Sequence, residues 1–343
     1  MANLPDHVGI DFGTHSVKAV ELGSIGTNRP RLVNLGSQAT PKGAINSEDP
    51  MDQKRLADVL KKLYDASGMK NNKVVMALPE FSVFTRFLEL PGVKEEEIKE
   101  AVYYEAKQYI PLPLNEVMMD YIPIGFNTER NAPRVLVIAA SSKVVEIYLN
   151  IAKEAGLDLL AIETESLAMG RAIYKSTGKK AVVMLDFGAN NTDMSILSDG
   201  YLVFSQSIAI GSDSLTQAIV NKFNFDIQRA EEFKRNYGIV PNVLEGKIYS
   251  VLSPIIESIM VEVRRGVEFY KSRTLSIAPA DYVLGGDGAL LPGIIEYISK
   301  SLNANVALAN PWNNIQVDKN FEDIARKGAP SYSVAIGLAL RDD

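Results

Sequence analysis

The chain has 343 residues, 46% hydrophobic and 23% charged, with a net charge of −6 and no cysteine. That composition belongs to a globular protein with room for two or more cores. It excludes disulfides and thiolate metal sites, and with no block of Lys and Arg it argues against nucleic acid as the main partner. The opening MANLPDHVGID has no charged-then-apolar leader, and no run reaches the about 20 apolar residues of a membrane span. The closing Leu340-Arg341-Asp342-Asp343 offers no amphipathic tail. The expectation is a soluble, cytoplasmic protein with no direct membrane insertion, any membrane role coming through a partner.

Residues 8–11 and 16–22 read as two strands joined by a glycine turn. Residues 51–67 read as a helix, with Leu56, Val59, Leu60 and Leu63 at helical spacing and Gly68 at its stop. Residues 73–78 form a short apolar strand ended by Pro79. A strand over 81–90 breaks at Pro91-Gly92, and 94–110 follows as a helix with Ile98, Val102, Ala106 and Tyr109 on one face, stopped by Pro111 and Pro113. Strands at 118–124 and 134–140 and a helix at 144–155, closed by Gly156, complete a β-α-β-β-α unit near residues 80–160. A strand at 159–162 and a helix at 165–174 come next, and a second strand–turn–strand opens at Val183. Residues 254–271 read as a long buried helix with Pro254 in its first turn, where a missing N–H costs nothing. A strand at 282–284 runs into Gly285-Gly286-Asp287-Gly288, and helices at 290–302 and 333–340 close the chain. The alternation predicts an α/β architecture.

One turn occurs twice. VGIDFGTHSVK begins at Val8 and VMLDFGANNTD at Val183, so Asp11 and Asp186 stand half a chain apart. The spacing predicts two similar halves, each presenting one turn. Glycine at the tip (Gly13, Gly188) lets main-chain N–H groups approach a ligand, and Thr14, Ser16, Asn190 and Thr192 add short side-chain donors. Such donor clusters make a concave anion site, and phosphate is the natural anion. Each Asp ends an apolar strand, where a lone carboxylate is costly, so a hydrated Mg²⁺ bridging to phosphate would compensate it. Lys18 can reach back to a phosphate as a point charge. His15 lies in the first turn, and one of only two histidines in the chain is no indication of a metal site. A third stretch, VLGGDGALLPG from Val283, fails as a dinucleotide fingerprint because Leu291 stands where the third glycine belongs. As strand, glycine turn and helix, it lets backbone lie flat against a nucleoside.

In their order, these motifs resemble the actin-like ATPase superfamily of actin, heat-shock chaperones and sugar kinases. The two Asp-Phe-Gly turns resemble its phosphate motifs and VLGGDGALLPG its adenosine motif. Ala161-Ile162-Glu163-Thr164-Glu165-Ser166-Leu167-Ala168 and Ser333-Val334-Ala335-Ile336-Gly337-Leu338-Ala339 resemble its two connecting helices. The resemblance implies an actin-like fold: two ribonuclease-H-like domains around a cleft that holds ATP and Mg²⁺, with Gly285, Gly286 and Asp287 on the nucleoside side. Asp11 and Asp186 would hold the metal through water. Residues 1–79, completed by 161–182 and 330–343, would form the first domain. Residues 183–329 would form the second, with a helical subdomain at about 222–275.

The unit at 80–160 sits where the FtsA and PilM families carry an inserted subdomain. Ala77-Leu78-Pro79-Glu80, Leu88-Glu89-Leu90-Pro91, the run from Tyr104 to Pro113 and the run from Phe204 to Ile219 are similar to the type IV pilus assembly family PilM. Gln206 and Ser212 depart from the Arg and Gly frequent there, while Gly211 keeps the close backbone approach. The resemblance also implies that Glu232 and Lys234, in the amphipathic stretch from Arg229, approach the nucleoside; the alternative is a solvated charged face. Glu163 and Glu165 are candidates to orient an attacking water, or simply to favour a helix N-terminus. The implied role is an ATP-binding scaffold of the pilus inner-membrane assembly complex with at most weak ATPase activity. Its implied partners are the N-terminal cytoplasmic tail of PilN, other pilus assembly components and a second copy. The tail would lie between the inserted unit and the first domain, with Tyr104, Gln108 and Tyr109 as wall candidates, Tyr109 having core as its alternative. An FtsA-like, filament-forming ATPase of cell division or shape is the competing reading.

Overall fold

Two sheets of one topology organise the chain. The computed structural model describes residues 6–23, 29–110, 112–128, 130–273 and 279–342. The first five residues, Pro111 and Asp343, all used in the sequence reading, lie outside them. The first half opens with β1 (Val8–Phe12), β2 (Ser16–Gly23), β3 (Arg31–Ala39), α1 (Pro50–Ser67) and β4 (Lys73–Leu78). An inserted stretch follows: β5 (Val83–Glu89), α2 (Ile98–Ala106), β6 (Val117–Asn127) and β7 (Ala132–Ser141). The chain returns through α3 (Ser142–Ala155), β8 (Asp158–Thr164) and α4 (Glu165–Thr177). The second half runs β9 (Ala181–Phe187), β10 (Thr192–Ser198), β11 (Tyr201–Ile208), α5 (Ser212–Phe223), α6 (Ile227–Tyr237) and α7 (Lys247–Arg273). It ends with β12 (Asp281–Gly285), α8 (Ile294–Leu302), β13 (Asn305–Leu308), α9 (Glu322–Gly328) and α10 (Ser333–Ala339).

The sheet orders are β3-β2-β1-β4-β8 and β11-β10-β9-β12-β13. In both, the first three strands are antiparallel and the last two add in parallel. The repeated turn therefore joins the first two strands of each half, β1 to β2 and β9 to β10. The central strands β1 and β9 are apolar and almost wholly buried, as strands covered on both faces must be. A third, antiparallel sheet of order β5-β7-β6 forms the inserted unit, with Ile98, Val102 and Ala106 of α2 on its core.

Local chemistry explains the boundaries. Helix α1 starts where Asp49 caps the Met51 N–H at 2.9 Å and Pro50 takes the first position, and it stops at Gly68 with φ of 70°. It buries Leu56, Ala57, Leu60 and Leu63, the three leucines each contributing roughly 1.5–3 kcal/mol. Helix α2 is shorter than its apolar spacing predicts: residues 95–97 make a 3₁₀ turn, and Lys107, Gln108 and Tyr109 are all exposed, with no apolar face to continue it. Tyr109 therefore leaves the inward face, and the Arg86 guanidinium lies 4.3 Å from its ring centre. Helix α3 does not cover the inserted sheet. Its Ile147, Tyr148 and Ile151 join the first-half core, and β8 pairs with β4 in the first sheet.

Pro254 lies inside α7, since the helix begins at Lys247 rather than Pro254. An interior proline costs about 3 kcal/mol. The burial of Leu252, Ile256, Ile259, Met260 and Val263, at roughly 1.5–3 kcal/mol each, outweighs it. Strands β3, β11 and β13 and helices α5 and α9 were not read from the sequence.

Helices α4 and α10 cross between the two sheets. Their backbones touch: a Cβ on Gly337 would lie 1.8 Å from the Ala168 carbonyl oxygen. Every residue of α10 is buried, and His7 Nε2, fully buried itself, donates to the Leu338 carbonyl at 2.9 Å. Gly337→Ala is therefore expected to destabilise the protein by at least about 2 kcal/mol, measured by denaturant unfolding. An unchanged midpoint would contradict the close crossing.

Candidate functional site

Both repeated turns line one cleft between the halves. The first turn contributes Asp11, Gly13, Thr14, His15, Ser16 and Lys18; the second, Asp186, Gly188, Ala189, Asn190, Asn191 and Asp193. Each turn is pinned through its carbonyls by the segment that follows its third strand. Thr40, after β3, donates its N–H to the His15 carbonyl and its hydroxyl to Gly13. Ser212 and Asp213, after β11, donate to the carbonyls of Gly188 and Ala189 at 3.0 and 2.9 Å. With those acceptors engaged, each turn has main-chain N–H groups to offer an anion.

The third motif closes the floor. Gly286, at φ 79°, is so close to the second turn that a Cβ would meet Asp186 Oδ1 at 2.4 Å. Asp287 extends across to the first half, where Lys18 Nζ donates to its Oδ2 at 3.0 Å. At the mouth, His15 Nε2 lies 3.0 Å from Asp213 Oδ2, a second bridge between halves.

The electrostatics of the two turns differ. In the first hairpin Asp11 sits opposite Lys18; at the same register of the second, Asp186 sits opposite Asp193. Like charges directly opposed on a ladder repel. Burial pushes Asp11 up to about 6, with Lys18 opposing and Asp287 adding to the rise. Burial and then Asp11 push Asp186 up to about 7. Burial, against a hydrogen bond from Ser207, pushes Asp193 up to about 8. Asp186 and Asp193 keep part of their surface in the open cleft, which softens these rises. Burial disfavours the Lys18 ammonium, but Asp11, Asp287 and Asp186 together outweigh it and hold the group charged. Glu165 is raised well above the carboxylate range by burial and by Asp193, Asp11 and Asp186.

This donor set fits a divalent cation. The buried Asp193 Oδ1 has no hydrogen-bond partner, and Asp11, Asp186, Asp193 and Glu165 share the cleft. Among the described residues no three acidic or histidine side chains are grouped closely enough to hold a metal alone. Coordination largely through water and a bound phosphate is the arrangement these acids suit.

A second cavity adjoins the first and shares His15, Ser16, Ser212 and Asp287 with it. Lys234 lines it, donating to the Ser212 carbonyl at 3.1 Å and to Thr216 at 2.8 Å. Glu231 lines it too; although burial opposes this, hydrogen bonds from Lys234, Arg235 and Thr216 hold its carboxyl down to about 2.

Several sequence candidates stand elsewhere. Glu163 is buried behind α4 with both oxygens on Arg171, at 2.6 and 2.7 Å, so it faces no water in the cleft. Glu232 is exposed and outside both cavities, one position off Glu231 on the helix. Thr192 spends its hydroxyl on the Ile210 carbonyl at 2.8 Å. Gly211 packs behind the second turn, a Cβ there meeting the Ala189 carbonyl at 2.2 Å, and Gly285 backs onto Met169. Tyr104 and Tyr109 line separate cavities, one between α2 and β6 and one between the inserted sheet and β11, and Gln108 lines neither. Sequence reasoning missed Asp193, although it occupies the position of Lys18 when the two motifs are aligned. Ser331 also lines the cleft and carries no motif of its own.

The family model of type IV pilus assembly protein PilM matches residues 9–343. The chain belongs to that family. A chain of the PilM-PilN type IV pilus biogenesis complex superimposes with a TM-score of 0.86 at 29% identity, covering 98% of both chains. MreB5 of Spiroplasma citri bound to ADP superimposes with a TM-score of 0.54 at 17% identity, covering 96% of this chain and 94% of its own, a likeness of fold alone. Cell division protein FtsA of Bacillus subtilis is 22% identical over 358 residues, covering 91% of this chain and 80% of its own. The fold is thus actin-like, as the two phosphate-type turns led one to expect. Among the described residues no helix is long and apolar enough to cross a membrane.

The raised carboxyls give a signed pH dependence. Asp11, Asp186 and Asp193 contribute stability that is complete below their unfolded pKa near 4 and lost as pH rises through about 6 to 8. The ligand-free protein is expected to melt lower at pH 8.5 than at pH 5.5, with Asp193→Asn flattening the fall by about 1–2 kcal/mol. Thermal melts across pH test it; a profile that rises with pH would contradict the clustered acids.

Proposed function

We propose that this chain binds ATP–Mg²⁺ in the cleft and acts as a cytoplasmic scaffold of the type IV pilus inner-membrane assembly complex, docking the N-terminal cytoplasmic tail of PilN. The meeting of both Asp-Phe-Gly turns, Lys18 and the Gly286-Asp287 loop in one cleft carries the nucleotide part. The phosphates would lie against Gly13, Thr14, Ser16, Gly188, Ala189 and Asn190, with Lys18 leaving Asp287 to meet them. Asp11, Asp186 and Asp193 would hold the metal through water, and the metal would neutralise phosphate charge. The nucleoside would enter the adjoining cavity beside Lys234 and Glu231. The ADP of MreB5, on the same fold, supports this reading.

Glu165 is the carboxyl in reach of a water in the cleft, and any hydrolysis is expected to be slow: its raised pKa leaves it a poor base until a cation enters. The PilM match over residues 9–343 and the likeness to the PilM-PilN complex support the pilus partner and association with the inner membrane through it. The FtsA likeness supports a filament-forming ATPase as the second reading. An extended tail ordering on binding suits the aromatic depression between α2 and β6, where Tyr103 and Tyr104 are exposed beside Met119 and Tyr121.

Calorimetry tests both parts. Mg–ATP is expected to bind, and Lys18→Met to weaken it at least about tenfold, as loss of a charged hydrogen bond does. A peptide of the PilN tail is expected to bind with an affinity that differs with and without Mg–ATP. No detectable peptide heat in either state would defeat the docking, and polymer that sediments with ATP alone would favour the filament reading.

A further inference from the structure

Glu80 sits where three parts of the molecule meet. It opens the 3₁₀ turn that carries the chain from β4 into the inserted sheet, and only 3% of it is exposed. Its N–H donates to Glu165 Oε2 at 2.8 Å, and its own Oε2 accepts from the Ser166 N–H at 3.3 Å. These reciprocal bonds tie the entrance of the insert to the head of α4. The Ser205 side chain of β11, in the second half, faces the Glu80 carboxyl and partly offsets the upward push of burial on it. Ser205 Oγ in turn lies 2.6 Å from Thr85 Oγ1 in β5. Either hydroxyl can donate in that bond.

We propose that Glu80 is a positioning residue that couples the cleft to the inserted sheet. What lies beside Glu165 sets, through the reciprocal bonds and the Glu80–Ser205–Thr85 chain, how the inserted sheet is seated on β11. The inference rests on the nucleotide-binding reading above.

Three features of the chain of bonds carry the coupling. Glu165 lines the cleft, so its environment changes with any ligand there. Its Oε2 accepts the Glu80 N–H, so a ligand that shifts the Glu165 side chain shifts the entrance of the insert with it. The Glu80 carboxyl is too deeply buried to exchange a lost partner for water, so it resists separation of α4 from β11. When the halves open or close on a ligand, the contact with Ser205 is either kept or broken, and Thr85 follows. The inserted sheet thus has two discrete seats rather than a graded one. A ligand biases them only as far as it binds one state better.

Hydrogen exchange read with and without Mg–ATP tests the coupling, with calorimetry on the same samples. In the wild type, Mg–ATP is expected to slow exchange across residues 83–89 and 201–208 by about fivefold, the lower range for coupled sites. Thr85→Val and Glu80→Ala are expected to bind Mg–ATP with little change in affinity and to protect the turn at residues 12–16 as before. They are expected to lose the effect over 83–89. If Glu80→Ala fails to fold, Thr85→Val, half-buried in β5, carries the test alone. Binding with no exchange change over 83–89 in the wild type overturns the proposal, as does a full change retained in Thr85→Val. No Mg–ATP binding by the wild type overturns the nucleotide reading and this one with it, an outcome calorimetry identifies separately.

Discussion

A charge imbalance at the centre of the molecule governs the site. Two hairpins of the same build bring Asp11 and Asp186 to one cleft, but the residue facing each differs: Lys18 in the first half, Asp193 in the second. One side of the cleft is thereby nearly neutral and the other carries two facing carboxyls. A triphosphate with its metal, as proposed, would complement such an asymmetric pair, the phosphates meeting the lysine and the metal the acids. The duplicated sheet order brings the two hairpins to the same cleft, and close backbone packing at Gly286 and Gly211 holds the second turn in place.

The two halves are not independent bodies joined by a thread. One apolar core runs through Val20 and Leu22 of β2, Ala168 and Met169 of α4, Val182 and Met184 of β9, and most of α10. The contact of Gly337 with Ala168 brings two helix backbones together at its centre. Packed interiors shift between discrete arrangements and do not stretch. These crossed helices are therefore the natural pivot between the halves. Glu163, whose oxygens hold Arg171 while Arg171 also binds the Gly337 carbonyl, belongs to that pivot and not to the chemistry.

The duplicated turn was legible because it combines an apolar strand, a fixed Asp-Phe-Gly and half-chain spacing, and it led directly to the paired hairpins and the cleft. Strand β3 was not legible: as a part-exposed strand it carries Asn34, Gly36, Ser37 and Gln38 among its apolar residues, which masks the alternation. Helix α2 reads longer in the sequence than it is because Ile110 keeps the apolar spacing after the helical backbone has ended. Asp193 is hidden in the sequence because it lies beyond the donor-rich turn, on the strand that leaves it; register exposes it opposite Asp186. Glu163 and Glu165 are alike in sequence, and only the strand-to-helix corner at Thr164 sends one to the pivot and the other to the cleft. Glu80 ends a quoted motif, but its role is hidden in the sequence because Ser166 and Ser205, which it faces, are distant in the chain.

Helix α10 has an implication for biosynthesis. It covers β1, and His7 beside that strand reaches its Leu338 carbonyl, yet some three hundred residues separate them in the order of translation. While the ribosome is still making the second half, the earliest strands stand uncapped, with Val20 and Leu22 awaiting their cover. The first half therefore completes its fold only after residues 333–339 have emerged, and in the interval its apolar face is a natural client surface for chaperones.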